Sequence, residues 1–235
     1  MGEMGPTQEK CKEPYPGAEV KLLSSMGDDL TIVNSARVSF NKQKDVLEEA
    51  DKKLLNFLVR EKHGTPLEMV EFTFHIKAPI TVIRELQRHR ISSFNEVSGR
   101  YVKMELESYI PNPTAIRRQE GKPGHYTFIP IDDSDIEAET IRLMTDAYER
   151  CYDAYESILD MGVAKELARH VLPLGLFSTV RYKTNARSLL NFLELRNSAQ
   201  AMWEIRKIAE VVEKYFSQVL PYTHAAFVQN GRVAP

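Results

Sequence analysis

Residues 88–101 read RHRISSFNEVSGRY, and they lie in the most arginine-rich part of the chain, with four arginines between residues 84 and 100. Successive helical residues point ~100° apart, so Arg88, His89 and Arg90 cannot share one face of a helix. We expect them to reach a common site where a helix ends, because the serines, asparagine and glycine that follow favour a turn. Guanidinium forks, hydroxyls and backbone amides suit phosphate groups. The alternative is a solvated basic helix end, where cations also suit the helix dipole.

The stretch NARSLLNFLELR at 185–196 predicts a helix with two different faces. A step of ~100° per residue places Arg187, Asn191 and Glu194 on one side. Leu189, Leu190, Phe192 and Leu193 fall on the other side. Arg196 falls in the apolar sector, in the last turn. It either complements the helix dipole and extends to water, or it contacts a ligand, because a desolvated arginine needs an anionic or carbonyl partner.

The stretch HGTPLE at 63–68 predicts a helix start. Thr65 and Glu68 have the spacing of a capping box, and the proline between them suits the first helical position. Helix capping explains both residues. A helix N-terminus is also a site for phosphate, so a capping role and a phosphate-binding role are compatible. The histidines of the chain lack the spacing of metal ligands, and no metal site is predicted.

The segment at 88–101 resembles the signature RHRxxSxNExSxRY of the flavin-dependent thymidylate synthases, and every fixed position is present. The resemblance covers about residues 20–229, nearly the whole chain. Other segments resemble the family in the same order, namely HGTPLE at 63–68, FTFHIKAPI at 72–80, ARHVLP at 168–173 and NARSLLNFLELR at 185–196.

The resemblance implies an enzyme that converts dUMP to dTMP by reductive methylation. It implies FAD as cofactor, NADPH as the reductant of the flavin, and 5,10-methylenetetrahydrofolate as the carbon donor. It also implies a homotetramer whose active sites combine residues from several subunits. The chain has no GxGxxG sequence, so FAD is not expected to bind in the Rossmann manner.

The resemblance also implies which residues form the site. Cofactor-binding positions are His63, Thr65, Arg88, His89, Arg90, Glu96, Asn185, Arg187 and Asn191. Positions that bind dUMP are Glu85, Arg88, Glu96, Val97, Ser98, Gly99, Arg100, Arg169 and Arg196. Arg196 matches the residue that ionises the uracil and is the predicted catalytic residue. Many members have glutamine where this chain has Glu85, and the segment with Gln200 and Met202 departs from the commoner histidine-containing version.

Neither cysteine is placed for attack on the pyrimidine. Cys11 falls in the N-terminal tail, and Cys151 falls on the apolar stripe of a long helix, where a thiol is inert. Their spacing fits neither a disulfide framework nor a zinc site. Ser98 is interpreted as a ligand of dUMP because no neighbouring base would activate it as a nucleophile. A flavin route needs no thiolate.

The charge balance excludes a general binder of polyanions. Lysine and arginine number 31 against 33 acidic residues, so the formal net charge is −2. Two rival functions remain: a noncatalytic nucleotide-binding protein, and a single-stranded nucleic-acid binder in which the arginines follow the backbone while Phe94 and Tyr101 stack on bases. The absence of an apolar run of ~18 residues and of a signal-like N-terminus predicts a cytoplasmic protein with no membrane partner.

The strands and helices that hydrophobic periodicity predicts, together with the resemblance, imply an α+β fold, the non-Rossmann fold of the flavin-dependent thymidylate synthases. We expect a tail at 1–17, mobile because it is rich in Gly, Pro and charges, and one catalytic domain at 18–235 with a central mixed or antiparallel sheet flanked by long helices. The predicted elements are strands near 18–25, 70–77 and 179–184, helices at 28–40, 45–62, 79–88, 133–161, 163–171, 185–197 and 199–219, and a surface loop at 111–130.

Overall fold

The computed structural model describes residues 12–235. Its strands are β1 (Glu19–Met26), β2 (Glu71–Pro79), β3 (Ser93–Glu96), β4 (Arg117–Lys122), β5 (His125–Pro130) and β6 (Phe177–Asn185). Its helices are α1 (Asp29–Arg37), α2 (Glu49–Arg60), α3 (Ile80–Leu86), α4 (Ser134–Asp160), α5 (Lys165–Ala168), α6 (Ala186–Arg196), α7 (Trp203–Val219) and α8 (Pro221–Gln229). This combination confirms the predicted α+β class.

Strands β1, β2, β6 and β3 form a four-stranded sheet in that order, with β1 antiparallel to β2. Buried and half-buried residues alternate along β2, as expected for a strand with one face in the core. Phe72 of β2 stacks on Phe216 of α7 with ring centroids 5.5 Å apart, and Phe74 lies 6.3 Å from Tyr215. Helix α7 therefore covers this face of the sheet.

The described residues group into two compact units. The first comprises residues 12–77, 84–95 and 179–235, and the second comprises 78–83 and 96–178. The first unit holds α1, α2, α6, α7 and α8, whereas the second holds the β4–β5 hairpin with α4 and α5. The sequence-based division into a tail and one catalytic domain stays a prediction.

Residues 12–17 pack on the first unit, in contrast to the mobile tail expected from their composition. The backbones of Lys12 and Val20 exchange two hydrogen bonds, of 3.0 and 2.9 Å. Tyr15 is only 4% exposed and lies against Trp203, with ring centroids 5.8 Å apart. One buried aromatic ring thus outweighs the polar composition around it. Cys11 lies outside the described residues.

The predicted surface loop at 111–130 is wrong from residue 117 onward, where the chain forms the antiparallel hairpin β4–β5 with Lys122 opposite His125. Pro123 and Gly124 make the two-residue turn, and Gly124 has a φ of 84°. Glycine adopts this left-handed conformation without the steric penalty of a Cβ. Composition alone indicated a loop because the strands are exposed and carry little apolar alternation.

Helix α2 begins at Glu49, four residues later than the predicted start at Asp45. Val46 is consequently outside the helix and 70% exposed. The capping contact decides the start, because the Asp51 carboxylate accepts a 2.9 Å hydrogen bond from the backbone N–H of Glu48.

Helix α4 begins after Asp133, which caps it, close to the predicted position. Its apolar stripe is not buried as expected: Ile136 is 48% and Leu143 51% exposed, whereas Tyr155 is buried. Cys151 is half-buried and forms no disulfide. None of the helices in the described part of the chain is long and apolar enough to cross a membrane.

Candidate active site

A cavity of about 890 Å³ in the first unit lies along α6 and the segment that follows α3. Helix α3 ends at Leu86, and the chain turns there with the His89 N–H donating to the Leu86 carbonyl. This turn lets three consecutive side chains reach one cavity, as expected from the sequence. The predicted residues that line the cavity are Arg88, His89, Arg90, Asn185, Arg187, Asn191 and Arg196.

Arg196 is held in the wall of this cavity by two partners. Its Nη1 lies 2.6 Å from Oε2 of Glu85, and its Nε donates to Nε2 of His89 at 3.1 Å. The side chain is 17% exposed. The helical wheel placed Arg196 in an apolar sector, but its position in the last turn of α6 allows the long side chain to reach the cavity that Arg187 and Asn191 also line.

His89 is neutral in this arrangement. Because Nε2 accepts from Arg196, the proton of the ring resides on Nδ1. Burial and the positive charge of Arg196 lower the pKa of His89 from 6.5 to about 4, against the opposing effect of the Glu85 carboxylate. His89 therefore remains an acceptor for Arg196 throughout the physiological pH range.

The lowered pKa of His89 predicts that the folded chain loses stability as the pH falls. The unfolded chain takes up a proton at this residue near pH 6.5 and the folded chain only near pH 4. The contribution of neutral His89 to the free energy of unfolding is thus fully present above pH 6.5 and is lost as the pH falls toward 4. We expect the melting temperature to fall less between pH 6.5 and 4.5 in His89→Gln than in the unmodified protein, as measured by calorimetry. Equal decreases in the melting temperature of the two proteins would contradict the lowered pKa of His89.

The side chain of Arg187 lies directly against the backbone of Gly64. Its Nη1 lies 2.6 Å from Oε1 of Glu68, and its Nε donates to the carbonyl oxygen of Pro235 at 3.1 Å. A Cβ added to Gly64 would lie 2.6 Å from Cδ and 2.7 Å from Cζ of Arg187. The missing side chain of Gly64 therefore makes room for the guanidinium group.

The predicted capping box at Thr65 and Glu68 is wrong. The segment Thr65–Met69 is a short 3-10 turn without a side-chain cap. The Glu68 carboxylate pairs with Arg187 instead. The local pattern could not reveal this contact because its partner lies 119 residues away.

A second cavity of the first unit, about 490 Å³, contains two further predicted residues, His63 and Thr65. The His63 ring stands edge-on to Phe57, with centroids 5.4 Å apart. Arg187 lines this cavity as well as the larger one. Sequence reasoning missed other lining residues, including Ser35, Ser39 and Lys62, because they carry no recognisable spacing.

The residues of these two cavities suit an anionic, aromatic cofactor such as FAD. The larger cavity offers four arginines, which match the phosphates of a dinucleotide, and the amides of Asn185 and Asn191, which can bind polar ring edges. Ile91 and Leu195 supply apolar wall. In the smaller cavity Lys62 adds a cation. The donor set therefore fits the cofactor implied by the signature.

In the second unit the chain turns at Ser98. Its carbonyl accepts the Tyr101 N–H at 3.0 Å, and its Oγ accepts the Arg100 N–H at 3.3 Å. Before this turn, β3 ends at Glu96, whose side chain is half-buried, and the next residue, Val97, is 46% exposed. The hydroxyl of Ser98 thus shapes the turn, and its interpretation as a ligand of dUMP stays a prediction.

Arg100 and Arg169 line a third cavity, of about 530 Å³, in the second unit. Nε of Arg100 lies 2.9 Å from Oε2 of Glu166, in an exposed ion pair. Gly99 lies against Arg169, since a Cβ there would meet its Cδ at 3.2 Å. The structure thus brings together two arginines that are 69 positions apart in the sequence, and paired guanidinium groups suit a phosphate.

Comparison with known proteins identifies the family of this chain. A family model described as thymidylate synthase complementing protein matches residues 21–222. A flavin-dependent thymidylate synthase of Kosmotoga olearia is 42% identical over 213 residues, 89% of each chain. Another, of Streptomyces avermitilis, is 41% identical over 229 residues, 92% of this chain and 93% of the relative.

A solved structure agrees as well. The crystal structure of the UMP/dUMP methylase PolB from Streptomyces cacaoi, bound with 5-Br UMP, superposes with a TM-score of 0.85 at 38% identity. The alignment covers 93% of this chain and 97% of the other. Since the match extends over nearly the full length and includes the arginine-rich segment and α6, the chain belongs to the family of flavin-dependent thymidylate synthases.

Proposed function

We propose that this chain converts dUMP to dTMP by flavin-dependent reductive methylation. One observation carries the proposal above all: Arg196 is held by Glu85 and His89 in a cavity that three further arginines line. A half-buried guanidinium held in a fixed orientation is suited to stabilise a developing negative charge on a pyrimidine.

Arg196 acts on the electron distribution of uracil. Methylation at C5 needs an electron-rich C5. When the N3 proton of uracil passes to solvent water, the negative charge left on N3 and O4 makes C5 electron-rich. The N–H groups of Arg196 that are not used by Glu85 and His89 donate to these atoms and stabilise that charge. No thiolate is required, in agreement with the half-buried position of Cys151 on α4.

The arginines and asparagines of the larger cavity, with His63 and Thr65, hold and orient FAD. When bound and reduced, the flavin supplies the hydride that completes the methyl group. NADPH is the proposed reductant and 5,10-methylenetetrahydrofolate the proposed carbon donor. Arg88, Arg90 and Arg187 neutralise the cofactor phosphates, and Asn185 and Asn191 set its orientation.

Arg100 and Arg169 bind the phosphate of dUMP, with the Ser98 turn and its flanking residues Glu96, Val97 and Gly99 against the nucleotide. The nucleotides named with the Streptomyces cacaoi enzyme, 5-Br UMP and 5-Br dUMP, support a uracil nucleotide as the substrate class. A homotetramer with shared active sites and a cytoplasmic location complete the proposal. Light scattering during gel filtration tests the tetramer.

Purification followed by absorbance spectroscopy and an anaerobic assay tests this function. We expect a yellow protein, or one that FAD reconstitutes, which forms dTMP when dUMP, methylenetetrahydrofolate and NADPH are all present and not when any one is omitted. A colourless protein that FAD does not reconstitute and that makes no dTMP contradicts the proposal. Salt-sensitive binding of single-stranded RNA without a chromophore would favour a nucleic-acid binder instead.

A further inference from the structure

Helix α7 contains a buried acid that the proposed function does not use. Glu213 is 8% exposed and accepts from both Nη1 and Nη2 of Arg232, at 2.8 and 2.6 Å. Its Oε1 also lies 2.8 Å from Nε2 of His224, and its Oε2 accepts a hydrogen bond from Nδ2 of Asn197. Every partner of this carboxylate belongs to the first unit.

Asn197 connects this acid to the cavity. It is the C-cap of α6, and its backbone N–H donates to the Leu193 carbonyl at 2.9 Å. It directly follows Arg196, the residue that the proposed function places on uracil. The backbone of Asn197 thus closes the helix while its side chain is anchored on α7, so the last turn of α6 has two fixed points.

We propose that Glu213 is a positioning residue for Arg196, acting through the hydrogen bond of its carboxylate to Asn197. This inference rests on the proposed function, in which the Arg196 side chain contacts the uracil of the nucleotide. Through Asn197, Glu213 fixes the helix end from which that side chain extends. Glu213 touches neither the cavity nor a reacting atom.

A helix end that frays by about 1 Å moves a catalytic group by a similar distance, and such misplacement lowers turnover by up to about a hundredfold. An anchor on another element prevents fraying only if it is itself rigid. Burial alone would raise the pKa of Glu213, but the hydrogen bonds from His224, Arg232 and Asn197 lower it to about 2. The anchor therefore stays charged at any working pH.

A substitution and its rescue test the inference. Asn197→Asp sets a carboxylate against Glu213, and we expect kcat for dTMP formation to fall about tenfold or more with flavin still bound. Adding Glu213→Gln removes the repulsion between the two carboxylates, because the new amide at position 213 can donate to the new carboxylate at position 197, while that carboxylate accepts the Nη2 group of Arg232 that Glu213 held. We expect kcat to recover to within about threefold of the unmodified protein. The rescued protein keeps the new charge beside Arg196. Recovery therefore assigns the loss to the broken anchor and not to direct electrostatics.

Glu210→Gln is the matched control, because Glu210 lies on the same helix and, among residues 12–235, forms an ion pair with Lys207 three positions earlier. It should leave kcat unchanged. Hydrogen exchange provides a readout independent of activity: the amides of Arg196 and Asn197 should exchange faster in Asn197→Asp, and at the original rate in the double variant and in Glu210→Gln.

The outcomes separate the two proposals. An unmodified protein that makes no dTMP defeats the proposed function, while exchange at Arg196 still decides whether the anchor exists. An active protein whose Asn197→Asp variant keeps full kcat, or whose double variant does not recover, overturns the positioning role alone. A parallel loss of bound flavin in Asn197→Asp overturns it as well, because a general structural role would then suffice.

Discussion

Arg196→Ala should nearly abolish dTMP formation, with a loss of about a hundred- to a thousandfold in kcat, while flavin remains bound. The guanidinium is the group placed to stabilise negative charge on uracil, and removal of one such donor in a desolvated site typically lowers turnover by a factor of about 10² to 10³. The cavity keeps its other three arginines, which account for the cofactor phosphates. Single-turnover assays and the flavin absorbance of the purified variant measure both effects.

Two further variants sharpen this result. Arg196→Lys keeps a positive charge but loses the fork that binds Glu85 and His89 together, so we expect only slight recovery. Arg60→Ala removes an exposed arginine paired with its neighbour Glu61 and should behave as the unmodified protein. Normal turnover in Arg196→Ala would show that another group carries the charge stabilisation.

Gly64→Ala should weaken flavin binding without unfolding the protein. The new Cβ occupies the space of the Arg187 side chain, which is flexible and can move aside. Moving it breaks the pair with Glu68 and withdraws the guanidinium from both cavities. A hydrogen bond to a charged group contributes about 1.5–3 kcal/mol, so the flavin dissociation constant should rise about ten- to a hundredfold. Fluorescence titration of the apoprotein with FAD measures this change.

A double-mutant cycle tests whether Gly64→Ala weakens flavin binding through Arg187. Arg187→Ala should weaken flavin binding by a similar factor, and Gly64→Ala should add nothing further in that background, because the clash has lost its partner. The melting temperatures of all three variants should agree within a few degrees. Additive losses would instead mean that Gly64 acts on the backbone of the 3-10 turn.

Local patterns predicted those elements whose own residues decide their ends. Asp28 caps α1 through Thr31, and Asn185 caps α6 by accepting the Ser188 N–H at 2.8 Å. These contacts join residues three positions apart and are visible in any short window of sequence. Helix α8 was missed because its start depends on Asp29, whose carboxylate accepts the backbone N–H groups of Tyr222 and Thr223 from almost 200 residues away.

The sequence by itself determined the family, the alternating core of β2, and the gathering of arginines at the end of α3. These follow from local chemistry, since side-chain periodicity and turn residues act over a few positions. Only the tertiary structure decided that Glu68 pairs with Arg187, that Glu85 pairs with Arg196, and that Glu213 accepts a hydrogen bond from Asn197. Each of these contacts joins separate elements. Such pairs form only when burial of the shared core brings those elements together, and no spacing along the chain encodes them.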